Sequence, residues 1–245
     1  METQAKTYEP SIVRIEKVWT PDAHLVVPHD EEVIKFASPA FGPNTYRNVG
    51  QEILSKNLNV PTGDYTASLL HPAYCNSKIK DEPEFENIRG IMKGNWLWVF
   101  NRNLWTEKGV YVFQDLEAKG RSQPLDINEL ERMLKDGKEI NGIRFSNDGR
   151  VRFAPKESYK LGEHTSESFA KDGFIIASCK QEEAEKSGEV SAEFKNKPYI
   201  YGLEIQEGQT PELRVSAVHE DDGRLRFYGN GWDGNDRGHA FGVLK

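Results

Sequence analysis

The chain has 245 residues, enough for one large domain or two small ones, which excludes a small scaffold held together by disulfides. Hydrophobic residues make up 37% of it, and 12 Phe, 9 Tyr and 5 Trp supply the anchors of a folded core. With 39 acidic and 32 basic residues the net charge is −7, so a protein that coats nucleic acid or an anionic membrane with its whole surface is excluded, and any basic site is local.

The sequence carries no targeting or membrane signal that we can identify. Residues 1–10 are polar and charged, and apolar runs such as 174–177 are far shorter than the roughly 20 residues of a membrane-spanning helix. The two cysteines, Cys75 and Cys179, are too few for a disulfide framework, although one long-range bridge stays open as an alternative. We therefore expect a cytoplasmic protein that does not associate with membranes.

Strand and helix patterns alternate in the first half of the chain. Residues 12–19 and 24–27 are β-branched and apolar, which predicts two strands, and apolar residues at helical spacing predict a helix from 44 to about 58. A second helix is predicted from Asp64, with an end that Pro72 leaves open. Residues 95–100 are apolar on both faces and predict a central strand, which 110–113 would pair with.

The second half has a loop, a helix and a possible βαβ unit. Residues 116–124 are polar with Gly and Pro, which is typical of a linker or long loop, and a capped helix follows from Asp126 to Gly137. The pattern predicts a strand at 174–177, an acidic helix at 181–194 and another strand at 199–205. The expected fold is α+β or mixed α/β, with antiparallel β-hairpins and two packed lobes, 1–115 and 125–245, or a single merged domain.

A short motif occurs twice. Residues 148–153 and 222–227 both read D-G-R-aliphatic-R-F, and each follows a stretch typical of a strand, 143–145 or 213–215. An Asp-Gly pair between alternating segments predicts a β-hairpin in each place. The alternation should turn the apolar residues to the core and six arginines to the solvent. These arginines are Arg144, Arg150, Arg152, Arg214, Arg224 and Arg226.

The six arginines are the candidate ligand-binding residues. Guanidinium groups bind carboxylate and phosphate in a bidentate manner, so an anionic small molecule, a nucleic acid or an acidic protein would be the ligand. The alternative is an ordinary solvated surface in which the arginines pair with acidic neighbours, of which 182–193 carries several.

Two other constellations favour plain structural roles. Trp96, Trp98 and Phe100 share one face of a strand and could stack on sugars or bases, but the apolar opposite face favours a buried core. Residues 233–238 are rich in oxygen ligands, yet they fail the EF-hand pattern and fit a turn better. The six histidines form no zinc motif, so we expect neither a metal nor a cofactor.

Three functions are compatible with these patterns. The first is a non-catalytic binding protein that recognises a negatively charged ligand through the arginine hairpins. The second is a hydrolase or transferase that uses Cys179, placed by the predicted strand-to-helix junction at a helix N-terminus, or a His–carboxylate pair in a cleft between lobes. The third is a structural or assembly component. The sequence identifies no catalytic residue beyond these candidates, and it does not indicate the oligomeric state.

Overall fold

The computed structural model describes residues 13–19 and 22–244. These residues form the α-helices α1 (Tyr46–Ser55), α2 (Gly63–Cys75), α3 (Pro83–Gly94), α4 (Ile127–Leu134), α5 (Ser166–Ala170), α6 (Gly173–Cys179) and α7 (Gln181–Ala192). They form the strands β1 (Arg14–Trp19), β2 (Asp22–His29), β3 (Glu32–Ser38), β4 (Phe41–Asn44), β5 (Trp96–Thr106), β6 (Gly109–Gln114), β7 (Lys138–Ile140), β8 (Ile143–Phe145), β9 (Val151–Pro155), β10 (Gly162–Glu163), β11 (Tyr199–Tyr201), β12 (Glu212–Asp221), β13 (Arg224–Gly231) and β14 (Gly238–Ala240).

The strands form two sheets. The small one is the antiparallel meander β1-β2-β3, which confirms strands near 14–19 and 24–27, while Ile12 and the turn at 20–21 lie outside the described residues. The large one has the order β10-β11-β13-β12-β5-β6-β9-β8-β7, and β14 joins it beside β5 and β4. Its pairs are antiparallel except β11 with β13 and β14 with β5. The expected α+β class is confirmed.

Strand β5 lies in the middle of the large sheet and is covered on both faces, as its sequence predicts. On one face Leu97, Val99 and Trp105 join the core beneath α2, α3, α6 and α7. On the other face Trp98 and Phe100 pack against Tyr46 of α1. Trp98 is completely buried, which confirms it as a core residue, whereas Trp96 at the start of the strand is half-buried.

The predicted βαβ unit is wrong at its first element. Residues 174–177 belong to the buried helix α6, whose N-terminus is capped by the Asp172 carboxylate, which accepts hydrogen bonds from the backbone N–H groups of Phe174 and Ile175. A short apolar run buried on every side has no period of its own, so helix and strand cannot be told apart from it. The following helix, α7, is confirmed, and its end leads into β11, which runs parallel to β13.

Residues 116–124 lie between strands of one sheet. This segment holds a single 3-10 turn at Gly120–Ser122, and the large sheet takes β5 and β6 from before it and β7 to β13 from after it. A division of the chain into two lobes at this segment stays a prediction. Among the described helices, none is long and apolar enough to cross a membrane, and the cytoplasmic location also stays a prediction.

Candidate functional site

The first arginine hairpin is formed by β8 and β9 around the Asp148-Gly149 turn, as predicted. Gly149 has a φ of 70°, a conformation that favours glycine. Strand β9 lies between β6 and β8, which pair with its two edges, and its first four residues are all buried, so both of its faces are covered as well. The sequence predicts that the apolar residues of this hairpin face the core and that its arginines face solvent. In β9 this prediction is wrong, because neither face of the strand is open to solvent.

Arg152 is the clearest exception, since it is buried and not exposed as expected. Its guanidinium donates to the backbone carbonyls of Gly149 and Ala177 and lies 3.3 Å from the Asp64 carboxylate of α2. Burial acts to raise the pKa of the Asp64 carboxyl, but Arg152, the Thr62 hydroxyl and Lys180 together lower it. Arg152 therefore joins the sheet to a helix and is not available to a ligand.

Arg144 is occupied by a neighbour in the same way. It makes a bidentate pair with Glu131 of α4, with distances of 2.9 and 2.7 Å, and it lies over the Phe153 ring. The pKa of Arg144 is raised because Glu131 accepts its hydrogen bonds. A bidentate pair of this kind leaves little of the guanidinium for an external anion.

Arg150 differs from these two, because within the described part of the chain its guanidinium makes no ion pair. It lies 5.2 Å from the centroid of the Phe113 ring, and Arg102 of β5 lies 5.7 Å from the same ring. Among the described residues, the Nε atoms of both arginines are buried without a hydrogen-bond partner, while Nη2 of Arg102 donates to the backbone carbonyl of Gln123. Both residues line a cleft of about 280 Å³ between β6, the 116–124 segment and α4.

The cleft around Arg150 is lined by acidic groups as well as by basic ones. Its basic residues are Arg102, Arg150 and Lys119, and its acidic residues are Asp115, Glu117, Asp126 and Glu129. Each acidic group has a partner other than the two arginines. Asp115 contacts Tyr46 and the 119–120 backbone, Asp126 caps the N-terminus of α4, Glu117 pairs with Lys119, and Glu129 pairs with Arg132. The two arginines thus keep unsatisfied donors beside the cleft.

The second arginine hairpin, β12–β13, turns at Asp222-Gly223 as predicted. Its outer arginines are all paired: Arg214 with Glu212, Arg224 with Glu163, and Arg226 with Asp221 and Asp222. The arginine side chains are only 14 to 23% exposed, whereas their four acidic partners are 45 to 77% exposed. The charge that this hairpin presents to solvent is therefore negative.

Aromatic side chains lie beside these ion pairs on one face of the sheet. We call this surface the ring face and define it as Tyr199, Tyr201, Tyr228, Trp96 and His219. The rings of Tyr201 and Tyr228 stack with their centroids 4.5 Å apart and an interplanar angle of 4°. The ring centroid of Trp96 lies 4.4 Å from that of Tyr228 and 5.7 Å from that of His219. All five side chains are half-buried, so the rings form a continuous, partly exposed stripe across β11, β13, β12 and β5.

The rings of this stripe cover one another's faces. Tyr201 and Tyr228 are paired residues of neighbouring strands, and Tyr199 packs on Tyr201 at 4.4 Å. Arg226 donates to the Tyr201 hydroxyl at 3.2 Å. Ring edges and hydroxyl groups are therefore what the stripe offers to a partner, and the stacking platform for a sugar or a base is not what the geometry favours.

An exposed tryptophan follows the second hairpin. Trp232 is 62% exposed, and the guanidinium groups of Arg121 and Arg214 lie 4.7 and 4.8 Å from its ring centroid. Next to it, Asp233 accepts a hydrogen bond from the backbone N–H of Arg121. The oxygen-rich segment 233–238 thus serves as a turn that fixes the 116–124 segment.

Cys179 does not have the surroundings of a nucleophile. It is the last residue of α6 and not the start of a helix, it is 1% exposed, and burial raises the pKa of its thiol. The expectation of a partly exposed thiol at a helix N-terminus is wrong, because the residues before it form a helix. Cys75 is half-buried, with burial raising the pKa of its thiol to about 11.

Histidine–carboxylate contacts occur in three places among the described residues. His164 Nε2 lies 3.9 Å from Asp172, which is an interior contact, and His71 lies 2.7 Å from the exposed Glu189. The third group joins His29 with Asp30 and Glu183 beside a cleft. The sequence indicates neither the His71–Glu189 contact nor the approach of Glu183 to His29, because each joins segments that are distant in the chain.

Sequence reasoning missed most of the ring face. Trp96 lies on a predicted strand, and Tyr228 and His219 belong to the second hairpin, but their approach to Tyr199 and Tyr201 depends on the parallel pairing of β11 with β13. The alternation of Tyr, Ile and Tyr in β11 could have indicated the two tyrosines of this face, because it places one buried apolar residue between two rings that point outward.

Comparison with known proteins gives little further guidance. No protein-family model matches the chain, and no curated protein matches it. One solved structure is similar to this chain and is described as "Accommodation of massive sequence variation in Nanoarchaeota by the C-type lectin fold". The match covers 84% of this chain and 97% of the other chain, with 12% sequence identity and a TM-score of 0.48. Similarity at that level assigns neither a fold family nor a function to this chain.

Proposed function

We propose that this protein is a non-catalytic binding protein that docks a basic segment of a protein partner on the ring face. The observation that carries the proposal is the partly exposed stripe of rings with carboxylates at its border, where Asp221 and Asp222 pair with Arg226. The strands beneath it are fixed by the sheet, so the stripe is preorganised for binding.

The composition of the ring face fits a protein partner. Tyr, Trp and Arg are enriched at the centres of protein interfaces, where they supply much contact area with few rotatable bonds. Because neighbouring rings already cover the faces of Tyr201 and Tyr228, a flat ligand cannot insert between them without separating the stack. A chain segment that lies across the ring edges needs no such rearrangement.

The exposed charge fits a basic partner. Arg226 is 16% exposed, while Asp221 and Asp222 are 46 and 77% exposed. Glu163 at the neighbouring edge is 48% exposed but is also paired with Lys197, which is 61% exposed, so the exposed negative charge lies mainly at Asp221 and Asp222. Lysine or arginine side chains of a partner would meet these carboxylates at the border, where complementary charge speeds association and selects the partner.

The test compares two fluorescent peptides of equal length, one alternating lysine with leucine and one alternating glutamate with leucine. Fluorescence anisotropy at two ionic strengths gives their affinities for the full chain. We expect the basic peptide to bind more tightly and to lose affinity at the higher ionic strength. Tyr228→Ala should weaken this binding about 10-fold, because tyrosine is enriched among the few interface residues whose truncation costs more than about 1 kcal/mol.

Tyr65→Ala is the matched control, because Tyr65 is a half-buried tyrosine of α2 outside the ring face. It should leave peptide affinity unchanged. A charge arm replaces Asp221 and Asp222 with Asn and should weaken the basic peptide, whereas replacing the exposed Asp136 and Glu139 near β7 should not. Equal binding by wild type and the Tyr228 and Asp221/Asp222 variants would contradict the proposal.

A second candidate function, the binding of a small anion, is supported at the first hairpin. Arg150 and Arg102 both carry a buried Nε without a partner and line the same cleft. A carboxylate or phosphate oxygen placed there would receive charge-assisted hydrogen bonds. Of the six arginines predicted to bind an anion, Arg150 is the one that the geometry favours.

This second function has its own test. Isothermal titration with inorganic phosphate and with succinate should show binding by wild type that falls about 10-fold in Arg150→Gln. Arg132→Gln on the exposed side of α4 is the control, since Arg132 is 77% exposed and contacts Glu129. If Arg150→Gln binds phosphate and succinate with the same affinity as wild type, the cleft is not an anion site.

A further inference from the structure

We infer that His29, Asp30 and Glu183 form a site for a divalent cation of the zinc or manganese class. One ligand atom from each residue lies within 4.8 Å of the others. His29 ends β2, Asp30 follows it in the turn to β3, and Glu183 lies in the first turn of α7. The small sheet and the helical layer therefore meet at this cluster.

The distances suit coordination after small adjustments. His29 Nε2 lies 3.6 Å from Asp30 Oδ2, and His29 Nδ1 lies 3.4 Å from Glu183 Oε1. Two ligands at roughly 2.1 Å from a tetrahedral metal are separated by about 3.4 Å. An imidazole binds one ion through one nitrogen, so Nε2, on the Asp30 side, is the ligand, and the Glu183 carboxylate turns from its contact with Nδ1 toward the ion. Nδ1 then donates its proton to Ser68 Oγ, 3.0 Å away, and this contact fixes the ring orientation and tautomer.

An unsatisfied atom provides independent support for a missing ligand. Glu183 is completely buried, and its Oε2 makes no hydrogen bond to any residue that the structure describes. A buried carboxylate oxygen without a partner is costly, and a cation or a proton relieves that cost.

Two lysines compete for the same carboxylates. Lys180 Nζ lies 3.1 Å from Asp30, and Lys186 Nζ lies 3.4 Å from Glu183. Each ammonium also has a second acidic partner, Asp64 at 3.3 Å for Lys180 and Glu182 at 3.2 Å for Lys186. A cation can therefore displace both lysines without leaving either one unpaired.

The cluster borders an open cleft. His29, Asp30 and Tyr65 line a volume of about 590 Å³ together with residues of β3. Three protein ligands with an open side leave a coordination position for water or for a small ligand. One imidazole with two carboxylates is a mixed nitrogen and oxygen donor set, which suits zinc or manganese better than calcium.

The test is isothermal titration of the chelator-treated full chain with Zn²⁺, Mn²⁺ and Ca²⁺. We expect one Zn²⁺ or Mn²⁺ ion per chain and weaker binding of Ca²⁺. Asp30→Asn should lower the zinc affinity about 10-fold or more, and so should Glu183→Gln. Asp30 is exposed in a turn, so its variant keeps the fold even if the Glu183 variant does not.

Two controls separate this site from adventitious binding. His24→Ala removes a histidine that lines the same cleft but is not part of the cluster, and it should leave the affinity unchanged. Lys186→Gln removes a competing ammonium and should increase zinc affinity several-fold. Absence of saturable binding to wild type, or equal zinc affinity of wild type and Asp30→Asn, would overturn the inference.

Discussion

Arg152 of β9 and Asp64 of α2 form an ion pair of 3.3 Å in which both side chains are almost completely buried. Arg152 also donates to the carbonyl of Ala177 in α6, and Lys180 lies 3.3 Å from the same Asp64 carboxylate. One charge pair therefore joins the large sheet to two helices. A motif that predicted a ligand-binding arginine supplies instead a contact in the interior.

Arg152→Ala should lower the free energy of unfolding by about 3 to 5 kcal/mol, because it leaves the buried Asp64 carboxylate with a weaker counter-charge. Urea denaturation followed by circular dichroism measures the change. Arg132→Ala, which removes an exposed pair with Glu129, should cost less than about 1 kcal/mol. Similar small losses in both variants would show that Arg152 is not held as described.

Trp98→Ala should destabilise the fold by about 3 to 5 kcal/mol, because it empties a completely buried site against Tyr46. Trp96→Ala should cost clearly less, since Trp96 is half-buried at the start of β5. Thermal and urea unfolding of the two variants provides the comparison. A loss below about 1 kcal/mol for Trp98→Ala would mean that its ring is accessible.

Cys75 should react with a thiol reagent faster than Cys179 in the native protein. Burial raises the pKa of both thiols, but Cys179 is 1% exposed and Cys75 is half-buried. Labelling with an aromatic disulfide, read by mass spectrometry of peptides, orders the two rates. Faster labelling of Cys179 would restore it as a candidate nucleophile.

Asp172 should make stability depend on pH in the acidic range. Burial raises the pKa of its carboxyl to about 6 in the folded chain, above the value of about 3.9 expected in the unfolded chain. The folded chain therefore holds this proton more tightly, so the stabilisation is present below pH 4 and is lost as the pH rises through 6. Asp172→Asn keeps an oxygen that can cap α6 and should lack this dependence.

The measurement is the free energy of unfolding from pH 4 to pH 7 for wild type and Asp172→Asn. Between pH 4 and 6 the stability of the wild type should fall relative to that of the variant, and the fall reports the titration of Asp172 together with His164, whose Nε2 lies 3.9 Å away. Parallel curves for the two proteins would contradict the raised pKa.

Local signals predicted most elements, and long-range pairing decided the rest. The Asp126 cap and the Asp-Gly turns depend only on residues that are close in sequence. For this reason α4 and both hairpins could be predicted. Whether a strand is exposed depends on its neighbours, and this is why alternation alone misplaced Arg152. The βαβ prediction failed because the fully buried α6 lacks an amphipathic period.

The candidate site was predicted only in part for the same reason. The motif predicted the β12–β13 hairpin and its arginines. It did not indicate that the side chains of Asp221 and Asp222 are more exposed than that of Arg226. Exposure of one charge relative to its partner is a property of the folded surface. The change from an expected anionic ligand to a proposed basic partner follows from that exposure.

Backbone amide chemical-shift mapping with the lysine–leucine peptide tests the central proposal most directly. We expect the largest shifts at Tyr199, Tyr201, His219 and Tyr228, with smaller shifts at Asp221 and Asp222. Shifts confined to Phe113 and Arg150, or shifts caused only by the glutamate–leucine peptide, would contradict docking of a basic segment on the ring face.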